Sequence, residues 1–171
     1  MRFYSGFLLR DEQEFFRPWL KERTVTLAGF SYGAILAFEE ALRSKRRIDT
    51  LQLFSPAFFL DKSAAFKRLQ LSAFQKKPVA YREAFLRSCF APYAPQPVSL
   101  KDDGIEDLRK LLYFAWPETE LRSLTDRGIR IEVYLGERDA VIDAEAAREY
   151  FLSFATVHSF KKRNHFLRER A

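Results

Sequence analysis

One cysteine and two histidines are all that this 171-residue chain has of the softer metal ligands. Cys89 has no second cysteine to pair with, so an internal disulfide is excluded, and no Cys/His cluster has metal-ligand spacing. No metal or cofactor is therefore expected, and a reducing compartment is. Long hydrophobic runs are also lacking. The longest charge-free stretch, residues 24–38, falls short of the roughly 18 apolar residues of a membrane helix and is broken by Gly29, Ser31 and Gly33. The apolar start, Phe3 to Leu9, is short for a signal peptide and has no small-residue cleavage site. These absences predict a soluble, cytoplasmic protein. Internal repeats, low-complexity tracts and RNA- or DNA-binding motifs are missing too, so neither a membrane nor a nucleic acid is an expected partner.

What the chain does have is apolar mass. Hydrophobic residues make up 47% of it and 18 are Phe, ample for one domain that buries roughly two-thirds of its unfolded surface. Five short segments rich in β-branched and aromatic residues read as strands of a buried parallel sheet: residues 2–4, 24–28, 50–54, 129–135 and 156–160. Amphipathic helical patterns lie between them at 12–21, 32–44 and 143–154, the last opened by Asp143 as a cap. The alternation implies an α/β fold with βαβ crossovers and a doubly wound sheet. From about 57 to 126 no convincing strand appears. Helices are expected at 63–75, 79–90 and 103–114, with a Pro92, Pro95, Pro97 loop between the second and third. This insertion after the third strand reads as a helical cap.

Gly29-Phe30-Ser31-Tyr32-Gly33 matches G-x-S-x-G, and its setting adds to the match. An apolar strand precedes it and a helix-forming run follows it, which is what a nucleophile elbow requires. Glycines let strand and helix approach closely around a strained turn that lifts the serine Oγ above the sheet. A serine hydroxyl needs a base to take its proton, and the base needs an orienting acid. Of the two histidines, His158 falls inside a strand and reads as a packed residue, whereas His165 follows the last strand in a loop. Asp139 comes directly after the fourth strand, with Glu137 and the cap residue Asp143 as its competitors. The order Ser31, Asp139, His165 is the chain order of hydrolases built on this elbow. One oxyanion donor is expected from the Tyr32 backbone N–H, and the second from Phe7 or Gly6 in the loop after the first strand.

With these residues in place, the chain resembles α/β-hydrolases of the carboxylesterase type at Ser5-Gly6-Phe7, 29–33, 136–139 and Asn164-His165-Phe166. More narrowly it resembles the short BioV-type pimeloyl-acyl-carrier-protein methyl ester esterases of biotin synthesis. The resemblance implies a small α/β-hydrolase that cleaves the methyl ester of a pimeloyl chain held on its carrier protein. Larger relatives have His-Gly-Phe at Ser5-Gly6-Phe7. They also have a leading hairpin before this strand, so one sheet edge here is expected to be covered by the cap or a partner.

Residues 57–90 carry seven basic side chains, Lys62, Lys67, Arg68, Lys76, Lys77, Arg82 and Arg87, against two acidic ones. Such a surface suits an acidic acyl carrier protein, since complementary charge steers an encounter. Among the cap's large apolar residues, from Phe66 and Leu69 to Trp116, most are expected to pack the cap onto the sheet. Two other functions fit less of the sequence. One is a general short-chain esterase or acyl thioesterase. The other is a non-enzymatic binding module using Lys161, Lys162, Arg163, Arg168 and Arg170.

Overall fold

The computed structural model describes residues 1–169; Arg170, one of the candidate basic-tail residues, lies outside them. Five strands form one parallel sheet: β1 (Arg2–Tyr4), β3 (Thr26–Phe30), β4 (Thr50–Phe54), β6 (Arg130–Gly136) and β7 (Thr156–Phe160). A two-stranded antiparallel ribbon pairs β2 (Leu9–Arg10) with β5 (Ser99–Leu100). The large sheet is the expected parallel sheet of five strands, with one correction to its winding. Its strands lie side by side in chain order, β1-β3-β4-β6-β7, without the reversal that doubly wound sheets show. Among the described residues β1 has β3 as its only strand neighbour.

Period-2 alternation decides what covers each face. Leu27, Leu51, Leu53, Ile131, Val133 and Leu135 face α1 (Tyr32–Arg43), α5 (Glu118–Asp126) and α6 (Ala144–Phe151). Ala28, Phe30, Phe54 and Tyr134 face the other way, onto Phe16 and Phe166. Phe16 lies 4.9 Å from the Phe30 ring and 4.8 Å from Phe54. Each such pair adds about 1 kcal/mol to plain burial. This face is therefore closed by a strap rather than by a full helix. Residues 12–21 form only a 3-10 turn, Glu12–Phe16, where a longer helix was expected. Arg17 still has helical backbone, but Pro18 has no N–H to carry the ladder on and so limits the turn. A polar cluster pins the end of the strap. The Lys21 N–H donates to Gln52 Oε1 at 2.9 Å, and Gln52 Nε2 donates to the Trp19 carbonyl at 2.9 Å.

Between β4 and β6 come α2 (Ala64–Lys76), α3 (Pro78–Phe90), β5, α4 (Ile105–Tyr113) and α5. Ser63 caps α2 by accepting the Phe66 N–H at 3.1 Å, and Pro78 opens α3 at its first turn, where a missing N–H costs nothing. α2 packs against α3 and α4, whereas α5 rests on α1 and β6 and so belongs to the sheet-covering layer. Trp116 is fully buried and its indole N–H donates to the Ala57 carbonyl at 2.8 Å. Leu69, expected to help pack the cap, instead points outward and is 68% exposed. No helix among the described residues is long and apolar enough to cross a membrane.

Candidate active site

β3 runs two residues further than its sequence suggests, up to the serine itself: Gly29 pairs with Leu53 and Phe30 with Phe54. The turn into α1 is then made at one residue. Ser31 has φ 53° and ψ −113°, a conformation that costs on the order of 1–3 kcal/mol and persists only where its surroundings impose it. Those surroundings are backbone groups. The Ser31 N–H donates to the Phe54 carbonyl at 2.9 Å, while the Ser31 carbonyl accepts from Ala34 at 3.1 Å and Ala57 at 3.2 Å. The two motif glycines are required by contact. A Cβ on Gly29 would lie 2.1 Å from the Gly33 carbonyl oxygen, and one on Gly33 would lie 2.0 Å from that of Tyr4.

The three side chains singled out from sequence meet here. His165 Nε2 is 3.1 Å from Ser31 Oγ, and His165 Nδ1 is 2.6 Å from Asp139 Oδ2. The other carboxylate oxygen, Asp139 Oδ1, accepts the N–H groups of Val141 at 2.7 Å and Ile142 at 3.0 Å. Both partners of the imidazole–carboxylate pair are closed off from solvent at their side chains. With Asp139 ionised, Nδ1 holds a proton and Nε2 has a lone pair for the serine hydroxyl.

The histidine loop is fixed from several directions. Ser55 Oγ donates to the His165 carbonyl at 2.7 Å, and Asn164 Nδ2 donates to the Phe90 carbonyl at 2.8 Å. Phe30 packs on the imidazole, with 4.9 Å between ring centres. Arg138 and Glu137 tie the acid turn to this loop through N–H bonds to the carbonyls of Arg163 at 2.9 Å and Phe160 at 3.0 Å. Glu137 and Asp143, the competing acids, have other places: Glu137 is exposed, and Asp143 Oδ1 caps α6 by accepting the Ala146 N–H at 2.9 Å. His158 is exposed on β7 rather than packed inside, its ring stacked on Tyr134 at 4.7 Å. Among the described residues β7 pairs only with β6, which leaves its residues near the sheet rim. Cys89 is buried beside the site, and burial pushes its thiol pKa well up, so it remains protonated.

Of the two candidates in the loop after β1, Gly6 is otherwise engaged: its N–H donates to Glu12 Oε1 at 2.6 Å. Gly6 serves instead for closeness, since a Cβ there would meet the Phe30 ring at 2.7 Å. Phe7 lies with its ring edge-on to Tyr32, and its N–H donates to no acceptor among the described residues. The Tyr32 N–H sits at the start of α1. The Tyr32 hydroxyl donates to Asp107 Oδ1 at 2.9 Å, and its pKa is raised by burial and by that carboxylate. Glu12, Ser55 and Asp103, whose Oδ2 accepts the Leu8 N–H at 2.7 Å, were not anticipated, because a side chain that bonds to backbone leaves no spacing pattern to read.

Ser31 is 2% exposed and His165 fully buried. A mostly apolar cavity of about 260 Å³ lies among α2, α3 and α4, walled by Phe66, Tyr81, Phe85, Leu108 and Leu111 and reaching Ala140 and Val141, the two residues after Asp139. It shares Phe66, Ala140 and Val141 with an open cleft of about 680 Å³ that reaches Lys62 and Asp139. The basic cap residues divide into two sets. Lys62 pairs with Asp61 at 2.7 Å, Arg82 with Asp102 at 3.0 Å, and Lys67 lies over the Tyr113 ring at 5.2 Å. Arg68, Lys76, Lys77 and Arg87 are exposed and make no ion pair among the described residues.

No protein-family model and no curated protein matches the sequence. Solved structures do. The carboxylesterase CesB from Bacillus subtilis superposes with a TM-score of 0.57 at 17% identity, over 94% of this chain and 61% of that one. The hydrolase olei00960 from Oleispira antarctica gives 0.64 at 12%, over 82% and 58%. BioG from Haemophilus influenzae gives 0.59 at 10%, over 96% and 87%. The chain spans between 53% and 61% of the length of four hydrolases and esterases that it matches. At these identities the likeness is one of fold, and the fold is that of a small α/β-hydrolase.

Proposed function

We propose that the chain is a serine carboxylic ester hydrolase, and that its substrate is the methyl ester of a pimeloyl chain carried on acyl carrier protein. The observation that carries the hydrolase reading is the continuous hydrogen-bonded line from Ser31 Oγ through His165 to Asp139. Ser31 attacks the ester carbonyl as His165 takes its proton, and Asp139 balances the imidazolium that forms. The N–H groups of Tyr32 and Phe7 receive the charge that develops on the carbonyl oxygen. His165 then protonates the departing methanol, and water releases the acyl group by the same route. No metal or cofactor enters this sequence.

The narrower substrate rests on three supports. The motif resemblance is to esterases of biotin synthesis, and the fit to BioG extends over most of both chains. The mostly apolar cavity of the cap, which reaches the residues just after Asp139, suits an acyl chain. The four exposed cations of α2, α3 and the link between them, which make no ion pair among the described residues, offer an acidic carrier protein a place to dock. A nucleic-acid footprint on the tail is less favoured: Arg163 lies over Trp19 at 4.8 Å and donates to the Leu167 carbonyl at 2.8 Å, and Arg168 lies over Phe15 at 5.4 Å.

The deciding experiment incubates the protein with methyl-pimeloyl carrier protein and weighs the intact conjugate. Loss of the methyl group alone supports the proposal. Loss of the whole acyl chain makes the protein a thioesterase. No change, together with hydrolysis of small esters, makes it a general esterase. Ser31→Ala should abolish each of these reactions while the protein stays folded.

A further inference from the structure

The loop that joins β1 to β2 is a four-residue turn, Gly6 to Leu9, closed by the Leu9 N–H on the Gly6 carbonyl at 3.2 Å. A turn of this kind leaves the N–H groups of its two central residues, Phe7 and Leu8, without an internal partner. Leu8 has φ 64°, a left-handed conformation that favours glycine and that a leucine adopts only when held. What holds it is Asp103, from the cap segment just before α4: Asp103 Oδ2 accepts the Leu8 N–H at 2.7 Å. The Lys101 N–H donates to the Leu8 carbonyl at 3.0 Å, and β5 pairs with β2 immediately beyond. On the other side Glu12 Oε1 accepts the Gly6 N–H. The amides before and after Phe7 are thus both bound by carboxylates, and the one between them is left over.

Glu12 is an expensive residue for such a place. It is 3% exposed, its Oε2 has no hydrogen-bond partner among the described residues, and burial raises its carboxyl pKa. The groups that face it are the Ser5 hydroxyl, the Gly6 amide, its own backbone amide and the Lys101 ammonium, which itself pairs with Asp103 at 3.4 Å. A buried carboxylate with an orphaned oxygen weakens a fold, so its presence calls for another explanation.

We infer that Glu12 and Asp103 are positioning residues for the oxyanion site: they bind the amides on either side of Phe7 and thereby aim the Phe7 N–H at the developing charge, with Asp103 making that aim depend on the seating of the cap. This rests on the hydrolase reading above and adds to it a pair of groups that touch no substrate.

Four variants test it, with p-nitrophenyl butyrate as the ester and a fluorophosphonate as the probe of the nucleophile. Glu12→Ala and Asp103→Ala should each lower kcat and the phosphonylation rate by about 10- to 100-fold, less than outright removal of an oxyanion donor, with KM changed by no more than about threefold. Glu12→Gln keeps an acceptor oxygen for Gly6 and should recover most of the rate lost in the alanine variant. A thermal midpoint for each variant shows that it is folded. Rates within about twofold of the parent for folded Glu12→Ala and Asp103→Ala would overturn the inference, and so would a Glu12→Gln variant as slow as Glu12→Ala. Ser31→Ala is the fourth. If it keeps its activity, the hydrolase reading itself fails; if it is inactive while the other variants are fast, only the positioning role fails.

Discussion

Asp139→Asn replaces one carboxylate oxygen by an amide nitrogen and leaves size and shape alone. The two faces of this carboxylate differ. Oδ1 accepts two backbone N–H groups, from Val141 and Ile142, whereas among the described residues Oδ2 meets only His165 Nδ1 at 2.6 Å. An asparagine must therefore turn its oxygen to the two N–H donors and its nitrogen to the imidazole. The amide N–H then donates to Nδ1, and the ring proton moves to Nε2. That nitrogen, 3.1 Å from Ser31 Oγ, becomes a donor and can no longer take the serine proton. A base in the wrong tautomer lowers kcat by about 10⁴-fold. At 1.36 kcal/mol per factor of ten this is about 5 kcal/mol of lost transition-state stabilisation. Stability should change by no more than about 1 kcal/mol, because the number of hydrogen bonds at the site is kept. Steady-state hydrolysis and a denaturant curve on the same preparation measure both. A folded Asp139→Asn protein that loses less than about tenfold in kcat would show that Asp139 does not set the histidine tautomer.

Other outcomes follow from the packing. Gly33→Ala places a methyl 2.0 Å from the Tyr4 carbonyl oxygen and 2.6 Å from that of Ser5, so α1 must part from β1. We expect a loss of about 3 kcal/mol by urea denaturation, and a stability equal to the parent would refute the close approach. Burial alone would raise the Glu132 carboxyl, but hydrogen bonds from Lys21 and Tyr134 and the Lys21 charge hold it below the ordinary carboxylate range. A lowered native pKa gives stability that is present above the unfolded-state value and lost as pH falls through the native one. Lys21→Ala should accordingly flatten the decline of the urea midpoint between about pH 6 and pH 3. Glu12 has the opposite sign. Its raised pKa gives stability that is present in acid and lost as pH rises, so Glu12→Gln should melt above the parent at neutral pH, with the gap closing towards pH 4 or so. A gap that stays constant with pH would show that Glu12 carries no such penalty.

Much of the site was legible in the sequence because its chemistry requires particular residue types in a particular order. Ser31, Asp139 and His165 each follow a strand, and short apolar strands are easy to find in this chain. Strand ends were less so. The glycine at 29 looks like the end of β3, yet Gly29 and Phe30 stay in the ladder, because a single strained residue makes the whole turn. The expected helix at 12–21 has the right apolar spacing, but Pro18 follows too soon for it to extend. The ribbon of β2 and β5 has two residues per strand, too few to show any periodicity. The linear strand order was hidden for a different reason: alternation of strands and helices fixes parallel pairing but not the direction in which each crossover steps. Glu12 and Asp103 bind amides, which every residue has, so nothing in the spacing marked them.

Gly136 ends β6 where the chain comes closest to the histidine loop: a Cβ there would lie 2.2 Å from the Arg163 carbonyl oxygen and 2.4 Å from that of Asn164. The turn bearing the acid and the loop bearing the base are thus sewn together main chain to main chain, independently of the side chains they carry. The imidazole–carboxylate couple is in consequence a preassembled cassette, which substrate arrival does not need to build. Under the proposed function an incoming acyl group would meet this couple as it stands, and its bulk would have to be matched by the side chains of α2, α3 and α4 that wall the cavity of about 260 Å³.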